Sequence, residues 1–402
     1  MKMNLKKMYT KLGKIIIRKI VAPIMSKETK KIIVVKNRVV FDNFAGKGYG
    51  DNPKYIAEAL WNLCREKVEI YWLVDNLLIN EKKAEFPDWI HCVKIDSIKG
   101  LWIRATAKVW VDNIRHFHPI TKKAEQIYLQ TWHAPFSPKC VEKDAEQQLG
   151  IEYTSQAKYD GQITNAILVN SRLQEEQFIR AFWLNKDVEF LRYGLPRNDS
   201  LIKKQKDLSL IFEIKKDLQI DADDYVVLYA PTFRDDYSIT GYQIDFEAVR
   251  RAFIKVMNKE CTIIIRLHPN VVFQKNKISF SNKIIDGTSC SDIQELAIAC
   301  DAVISDYSTS IFDFAMLKKP AFICALDLDE YEKKRGLLKE FYDFPFPIAK
   351  TNAELIKCIN EYDTTTYYAR VTEYFRKYPF YDNGNAAYKT ARWIAGKMSL
   401  QI

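Results

Sequence analysis

The sequence predicts an α/β protein built from two doubly wound domains, each around a parallel sheet. Short, unbroken apolar runs recur along the chain, helix-length segments lie between many of them, and the pattern occurs as two successive series. Continuous apolar runs are what strands look like when crossover helices cover a parallel sheet on both faces. The chain has 402 residues, room for two or three domains at ~150 residues each. Apolar residues make up 48% and charged residues 28%, which excludes a disordered tail or a collagen-like fibre.

The elements follow in order. In residues 1–25, Leu5, Met8, Tyr9, Leu12, Ile15, Ile16 and Ile20 keep the spacing of one helical face. Lys2, Lys6, Lys7, Lys11, Lys14, Arg18 and Lys19 surround that face, and no acid precedes Glu28. A basic amphipathic helix of this kind lies in the interface of an anionic bilayer, each cation adding about 1 kcal/mol. The expectation is a peripheral anchor on a membrane surface. No apolar run reaches the ~18 residues of a span, and Lys and Arg interrupt the apolar positions too often for a secretory signal.

A first series of strands is expected at 31–35, 39–41, 68–74, 109–111, 128–130 and 167–170, with a helix over 52–65. A second is expected at 226–229, 262–266, 283–285, 302–305 and 321–324, with a helix over 291–300. The pattern breaks at 203–207, so the domains are drawn as 1–29, the helix, then 30–201 and 202–402. Doubly wound domains bind ligands at the carboxyl ends of their strands.

Lys plus Arg exceeds Asp plus Glu by 10 (61 against 51), which suits an anionic partner. No RRM, KH or helix-turn-helix signature is present, so nucleic acid is not the expected one. The eight cysteines show no CxxC and no repeated spacing, which argues against zinc or a disulfide framework and for a reducing compartment. Glycine is scarce, at 13 residues. The cluster Gly46, Gly48 and Gly50 therefore stands out, followed by Asp51 or Asn52 as a helix cap and Pro53 as the first helical residue. Its spacing matches neither GxGxxG nor a P-loop.

Three strand ends carry chemistry. His133 follows an apolar strand in a proline-punctuated loop, where an imidazole can take a proton at neutral pH. Arg266 and His268, two residues apart, are expected on one side of an extended segment, a pairing suited to phosphate. Ser308, Thr309 and Ser310 follow a strand ending at Asp306, at an expected helix N-terminus that favours negative charge, with Asp313 one turn on. His116 and His118 are spaced for one strand face, but no third ligand makes a metal site.

Taken together these segments resemble the CDP-glycerol glycerophosphotransferase family, the teichoic-acid primases and polymerases. The resemblance is carried, in order, by FDNFAGKGYGDNPKYI (41–56), AKVWVDN (107–113), QTWHAP (130–135), GLPRND (194–199), YAPTFRD (229–235), RLHP (266–269), SDYSTSIFDF (305–314) and DLDEYEKKRG (327–336). It implies a GT-B-like architecture, two Rossmann-like domains facing a cleft, with 30–201 on the acceptor side and 202–402 binding the CDP-alditol and ending in closing helices. It further implies transfer of glycerol phosphate, or ribitol phosphate in relatives, from CDP-glycerol or CDP-ribitol to a hydroxyl of a lipid-linked or polymeric acceptor, with release of CMP. The cytoplasmic face of the membrane is the implied location.

By matching motifs, His133 is the implied general base and His268 the second catalytic group. Trp132, Ala134, Pro135 and Phe136 border the donor. Arg197, Pro231, Thr232, Arg266, Leu267, Ser308, Thr309 and Asp313 contact it. Neither a metal nor another cofactor is expected. The sequence departs from the family's usual WHGTP at Ala134 and Phe136, carries Asp42 where relatives often have Glu, and reads Pro345-Phe346-Pro347 in place of PGP. The competing readings are a GT-B glycosyltransferase using a nucleotide-sugar and a binding protein without turnover.

Overall fold

The structure is a computed structural model that describes residues 13–401 other than 116, 235, 291 and 292, with the backbone alone at 269 and 270. The first half of the expected anchor helix and His116 lie outside the described residues. The chain divides into two units. Unit 1 comprises Met1–His133, Glu142–Asp199 and Tyr381–Ile402; unit 2 comprises Ala134–Val141 and Ser200–Phe380.

Unit 1 holds seven parallel strands: β1 (Val35–Asp42), β2 (Glu69–Val74), β3 (Ile90–Lys94), β4 (Ala107–Asp112), β5 (Ile127–Gln130), β6 (Ala166–Leu168) and β7 (Glu189–Leu191). Their order is β3-β2-β1-β4-β5-β6-β7. The winding direction therefore reverses between β1 and β4, where Val40 pairs with Tyr71 on one side and Trp110 on the other. Phe41, Trp72 and Trp110 are fully buried there, each worth roughly 1.5–3 kcal/mol of apolar burial.

Unit 2 holds six parallel strands: β8 (Tyr225–Tyr229), β9 (Cys261–Ile265), β10 (Ile284–Asp286), β11 (Ala302–Ser305), β12 (Ala321–Cys324) and β13 (Ile348–Ala349). Their order is β10-β9-β8-β11-β12-β13, with the reversal between β8 and β11. In an open α/β sheet the crevice at such a reversal, beyond the carboxyl ends of the strands, is where ligands bind.

The drawn boundaries need two corrections. The helix Ala386–Lys397 belongs to unit 1, because Ala391, Ile394, Ala395 and Met398 complete a core with Ile56, Leu60 and Trp72. Residues 134–141 belong to unit 2, where Cys140 N–H donates to the Gly336 carbonyl. The expected strand 31–35 is also displaced: Thr29–Lys31 is a 3-10 turn, and one strand begins at Val35.

At the start of the described chain, a π-helical turn, Ile17–Val21, leads into the helix Ala22–Glu28. Ala22 is buried with Leu101, Ala105 and Ile120, and Ile17, Val21 and Met25 pack around them. Arg18 and Lys14, two of the cations assigned to lipid, pair instead with Asp96, Arg18 at 2.6 Å and Lys14 at 3.4 Å. Ile15, Ile16, Ile20 and Ile24 remain exposed.

Candidate active site

In unit 1, the ends of β1, β4 and β5 converge on His133. Its Nδ1–H donates to the Asn113 carbonyl at 2.9 Å, just beyond β4, which leaves Nε2 as the basic nitrogen of the neutral ring. The residue before it is strained: Trp132 has φ 52°, a left-handed conformation that costs an ordinary residue energy. Three contacts hold this peptide. Gln130 Oε1 accepts from Trp132 N–H at 2.9 Å, Asn52 Nδ2 donates to the Trp132 carbonyl at 2.9 Å, and the Trp132 and His133 rings lie 4.4 Å apart.

Asn52, one of the two residues expected as a helix cap, is thus a tertiary brace. Its Oδ1 also accepts from Arg197 N–H at 3.1 Å, joining two segments far apart in sequence to the histidine loop. The helix starts one residue earlier, over Asp51–Cys64. Asp51 itself sits at φ 53°, its carboxylate 3.7 Å from Arg197 Nη1. Burial raises the Asp51 carboxyl above the ordinary range, against the opposing pull of Arg197, of the Asn52 N–H and of His133.

The glycine-rich loop closes the cluster. Asp42 Oδ1 accepts from Gly46 N–H at 2.8 Å while its Oδ2 takes Arg104 Nη2 at 3.0 Å. Gly46 has φ 85°, and a Cβ there would come within 2.4 Å of the Asp75 nitrogen, so a side chain is excluded. The aspartate that departs from the family's usual glutamate is therefore a loop anchor. Ala134 does not adopt a left-handed conformation among the described residues, so alanine in place of glycine brings no strain.

In unit 2, Asp306 stands just beyond β11 at the reversal. Its Oδ1 accepts from Thr232 N–H at 2.7 Å and Tyr307 N–H at 2.6 Å, tying the loop after β8 to the loop after β11. Arg234 Nη2 meets Asp306 Oδ2 at 2.9 Å, and Arg234 Nε meets Asp327 at 2.7 Å. The guanidinium also lies 5.0 and 4.8 Å from the Tyr307 and Tyr331 rings, which stack at 3.7 Å. Burial opposes the Arg234 charge, but the two carboxylates outweigh it and raise its pKa. Asp327 is affected by burial in the opposite sense, and its bonds to Arg234 prevail to hold it below the usual carboxylate range.

The sequence-selected residues fall into two sets. Trp132, His133 and Arg197 lie in unit 1; Pro231, Thr232, Arg266, Leu267, His268, Ser308, Thr309 and Asp313 lie in unit 2, at the ends of the adjacent strands β9, β8 and β11. His268 stacks on Phe233 at 5.1 Å, and Arg266 Nη1 donates to the Cys290 carbonyl at 2.7 Å. Ser308 and Ser310 hydroxyls pair at 3.0 Å, and the helix they precede is short, Ile311–Met316. Asp313 is buried and accepts from Gln294 at 3.3 Å. Of the other residues named for the donor, Pro135 is buried, Phe136 packs edge-on to Phe344, and Leu267 lies in the core of unit 2.

Sequence reasoning missed Asn113, Arg234 and Asp306 as site-builders, and took Asn52 only for a cap. All three missed residues stand inside motifs quoted for the resemblance, which was the available signal. His118 is not placed as a metal ligand: its Nε2 lies 2.7 Å from Asp160 in a buried cluster.

Comparison with known proteins shows the family and the fold. Residues 24–396 match the family model described as CDP-Glycerol:Poly(glycerophosphate) glycerophosphotransferase. A teichoic acid glycerol-phosphate transferase of Staphylococcus aureus is 30% identical over 89% of this chain and 93% of its own length. A teichoic acid poly(glycerol phosphate) polymerase of Staphylococcus epidermidis is 29% identical over 87% of this chain. The chain spans about half, 49%, of that polymerase. Among solved structures, the wall teichoic acid polymerase TagF, in a variant soaked with CDPG, matches with a TM-score of 0.81 at 26% identity, over 99% of both chains.

Proposed function

This chain belongs to the CDP-glycerol:poly(glycerophosphate) glycerophosphotransferase family, and from that premise we propose the division of labour by which it acts. It is a glycerophosphotransferase of teichoic acid synthesis; unit 2 binds the CDP-glycerol donor and unit 1 supplies the base. The observation that carries this reading is the His133 geometry: Nδ1–H is committed to the Asn113 carbonyl, so Nε2 is the proton acceptor. His133 takes the proton of the acceptor hydroxyl as its oxygen attacks the distal phosphorus, the bond to the bridging oxygen breaks, and CMP leaves. Phosphoryl transfer asks mainly for positioning and charge stabilisation. The pyrophosphate sits on the amides and hydroxyls at Ser308 and Thr309 while Arg266 and His268 balance its charge, and Asp306, paired with Arg234, holds the Thr232 N–H.

The acceptor is a membrane-linked or polymeric hydroxyl, and the chain works at an anionic membrane surface. Supporting this, Ile15, Ile16, Ile20 and Ile24 are exposed on the basic N-terminal segment. Thermal stabilisation against CDP-glycerol, CDP-ribitol, CDP, UDP-glucose and CMP-sialic acid tests the donor. A ligand at 100 times its Kd adds about 2.7 kcal/mol. A shift with a CDP-alditol, weakened in Ser308→Ala or Arg266→Ala, is expected; a shift with a nucleotide-sugar alone overturns the reading.

A further inference from the structure

Behind the His133 loop lies a buried polar chain that the reaction does not use directly. Asp160, on the helix Ile151–Ile163, has no exposed surface. One carboxylate oxygen takes Arg115 Nη1; the other takes His118 Nε2 at 2.7 Å and the Tyr128 hydroxyl at 2.8 Å. The Tyr128 oxygen accepts from Gln130 Nε2 at 3.0 Å, and Gln130 Oε1 accepts from the Trp132 N–H. Tyr128 and Gln130 are two apart on β5, so their side chains share one face of the strand.

A second branch reaches the same residue. Arg115 Nη2 donates to the Phe182 carbonyl at 2.8 Å, its guanidinium lies 4.8 Å from the Phe182 ring, and that ring meets Trp132 edge-on at 4.8 Å. Glu142 adds a carboxylate 3.7 Å from Arg115, itself bonded to the Tyr153 hydroxyl at 2.5 Å. Stability alone is a weak reason for such a network, because apolar residues of similar volume often replace buried ion pairs at no cost. Its two branches converge on the backbone and the ring of one left-handed residue, the neighbour of His133.

We propose that this chain, Asp160–Tyr128–Gln130 with Arg115 and His118, is a positioning device that holds the Trp132 peptide and so aims His133 at the acceptor hydroxyl. It rests on the reading of His133 as the base. Gln130 and Tyr128 are positioning residues: they act through Trp132 and touch no substrate.

The test measures CMP release from CDP-glycerol with a lipid-linked glycerol phosphate acceptor, beside melting curves with and without donor. In Gln130→Met, kcat is expected to fall about tenfold to a hundredfold, the scale of a small misplacement, with the KM for CDP-glycerol unchanged. Gln130→Glu, neutral when buried, keeps an oxygen for Trp132 N–H and a proton for Tyr128, and restores most of kcat. A folded Gln130→Met with full kcat, or with a raised KM and full kcat, overturns the proposal. If Gln130→Met does not melt cooperatively, Tyr128→Phe decides, with the same split expected and an unchanged kcat overturning it. His133→Ala, run in parallel, separates the two ideas. If it is inactive while Gln130→Met keeps full kcat, the base stands and the positioning role falls. If it is active, the base assignment falls, and the target of the chain with it.

Discussion

The two sheet reversals hold their loops by different means. In unit 1, the side chains that bond the histidine loop directly are carboxamides, with the ion pairs one step behind: Asn113 Nδ2 bonds to Asn43 at 2.8 Å, Asn52 bridges Trp132 and Arg197, and Gln130 grips the Trp132 N–H. In unit 2 the same task falls to ion pairs among Arg234, Asp306 and Asp327. A proton acceptor must move between neutral and charged forms, and amide dipoles orient it without biasing that step as a fixed charge does. A loop that receives a pyrophosphate gains from being pinned beforehand, because preorganised groups need no reorganisation during transfer. Asp51, a carboxylate that acts on His133, is held at the expense of stability, whereas Asp327 contributes to it.

The comparison breaks most readily at Asp306. Asp306→Ala leaves the buried Arg234 guanidinium with Asp327 as its remaining carboxylate and releases two backbone N–H groups. The loss expected is about 3–5 kcal/mol, read from urea denaturation, together with loss of the thermal shift given by CDP-glycerol. Little change in either would mean the brace is not what fixes the loop after β8.

Acid sharpens the contrast. Asp327 is depressed in the folded state, so its stability is present above the unfolded carboxyl pKa of about 3.9 and is lost as pH falls through its lower folded value. Asp51 is raised, so its contribution is complete below about 3.9 and is lost as pH rises through its higher folded value. Asp51→Asn should therefore raise the melting temperature at neutral pH, and the gain should vanish toward pH 3, while turnover falls. Asp327→Asn should do the reverse, costing stability at neutral pH and progressively less in acid. Equal pH profiles for the two variants would contradict the difference drawn between the units.

The smallest effect is expected at Ala134. Because that residue is not left-handed, Ala134→Gly restores the family's usual residue with only the entropic penalty of glycine, about 0.5–1 kcal/mol. A gain in stability on that change would show that alanine is strained there.

The alternation of strands and helices was legible because central strands are continuous apolar runs: 302–305 and 321–324 are observed as Ala302–Ser305 and Ala321–Cys324. Edge strands were less so: β10, expected at 283–285, is observed as Ile284–Asp286, but the other edges were not foreseen. Only Ile90 and Val93 of β3 are buried, and β7 and β13 are three and two residues long. Such edges give too few apolar positions to set a period. The helix Ala386–Lys397 carried a readable apolar face, but nothing local says that its partners are Ile56 and Leu60 rather than its nearer neighbours in sequence. Likewise His133 was visible as an imidazole after a strand, whereas Asn113 as the acceptor of its Nδ1–H depends on β4 and β5 lying side by side. Chemistry-bearing residues were legible one at a time; the bonds that aim them are long-range.

The most direct test compares wild type and His133→Ala for CMP release from CDP-glycerol with a lipid-linked acceptor, measuring donor-induced thermal stabilisation on the same samples. The account predicts a loss of turnover of about 10²–10⁴-fold, the usual worth of a general base, with donor stabilisation intact, since the proposal gives nucleotide binding to unit 2. Retained turnover, or donor stabilisation lost together with turnover, would contradict it.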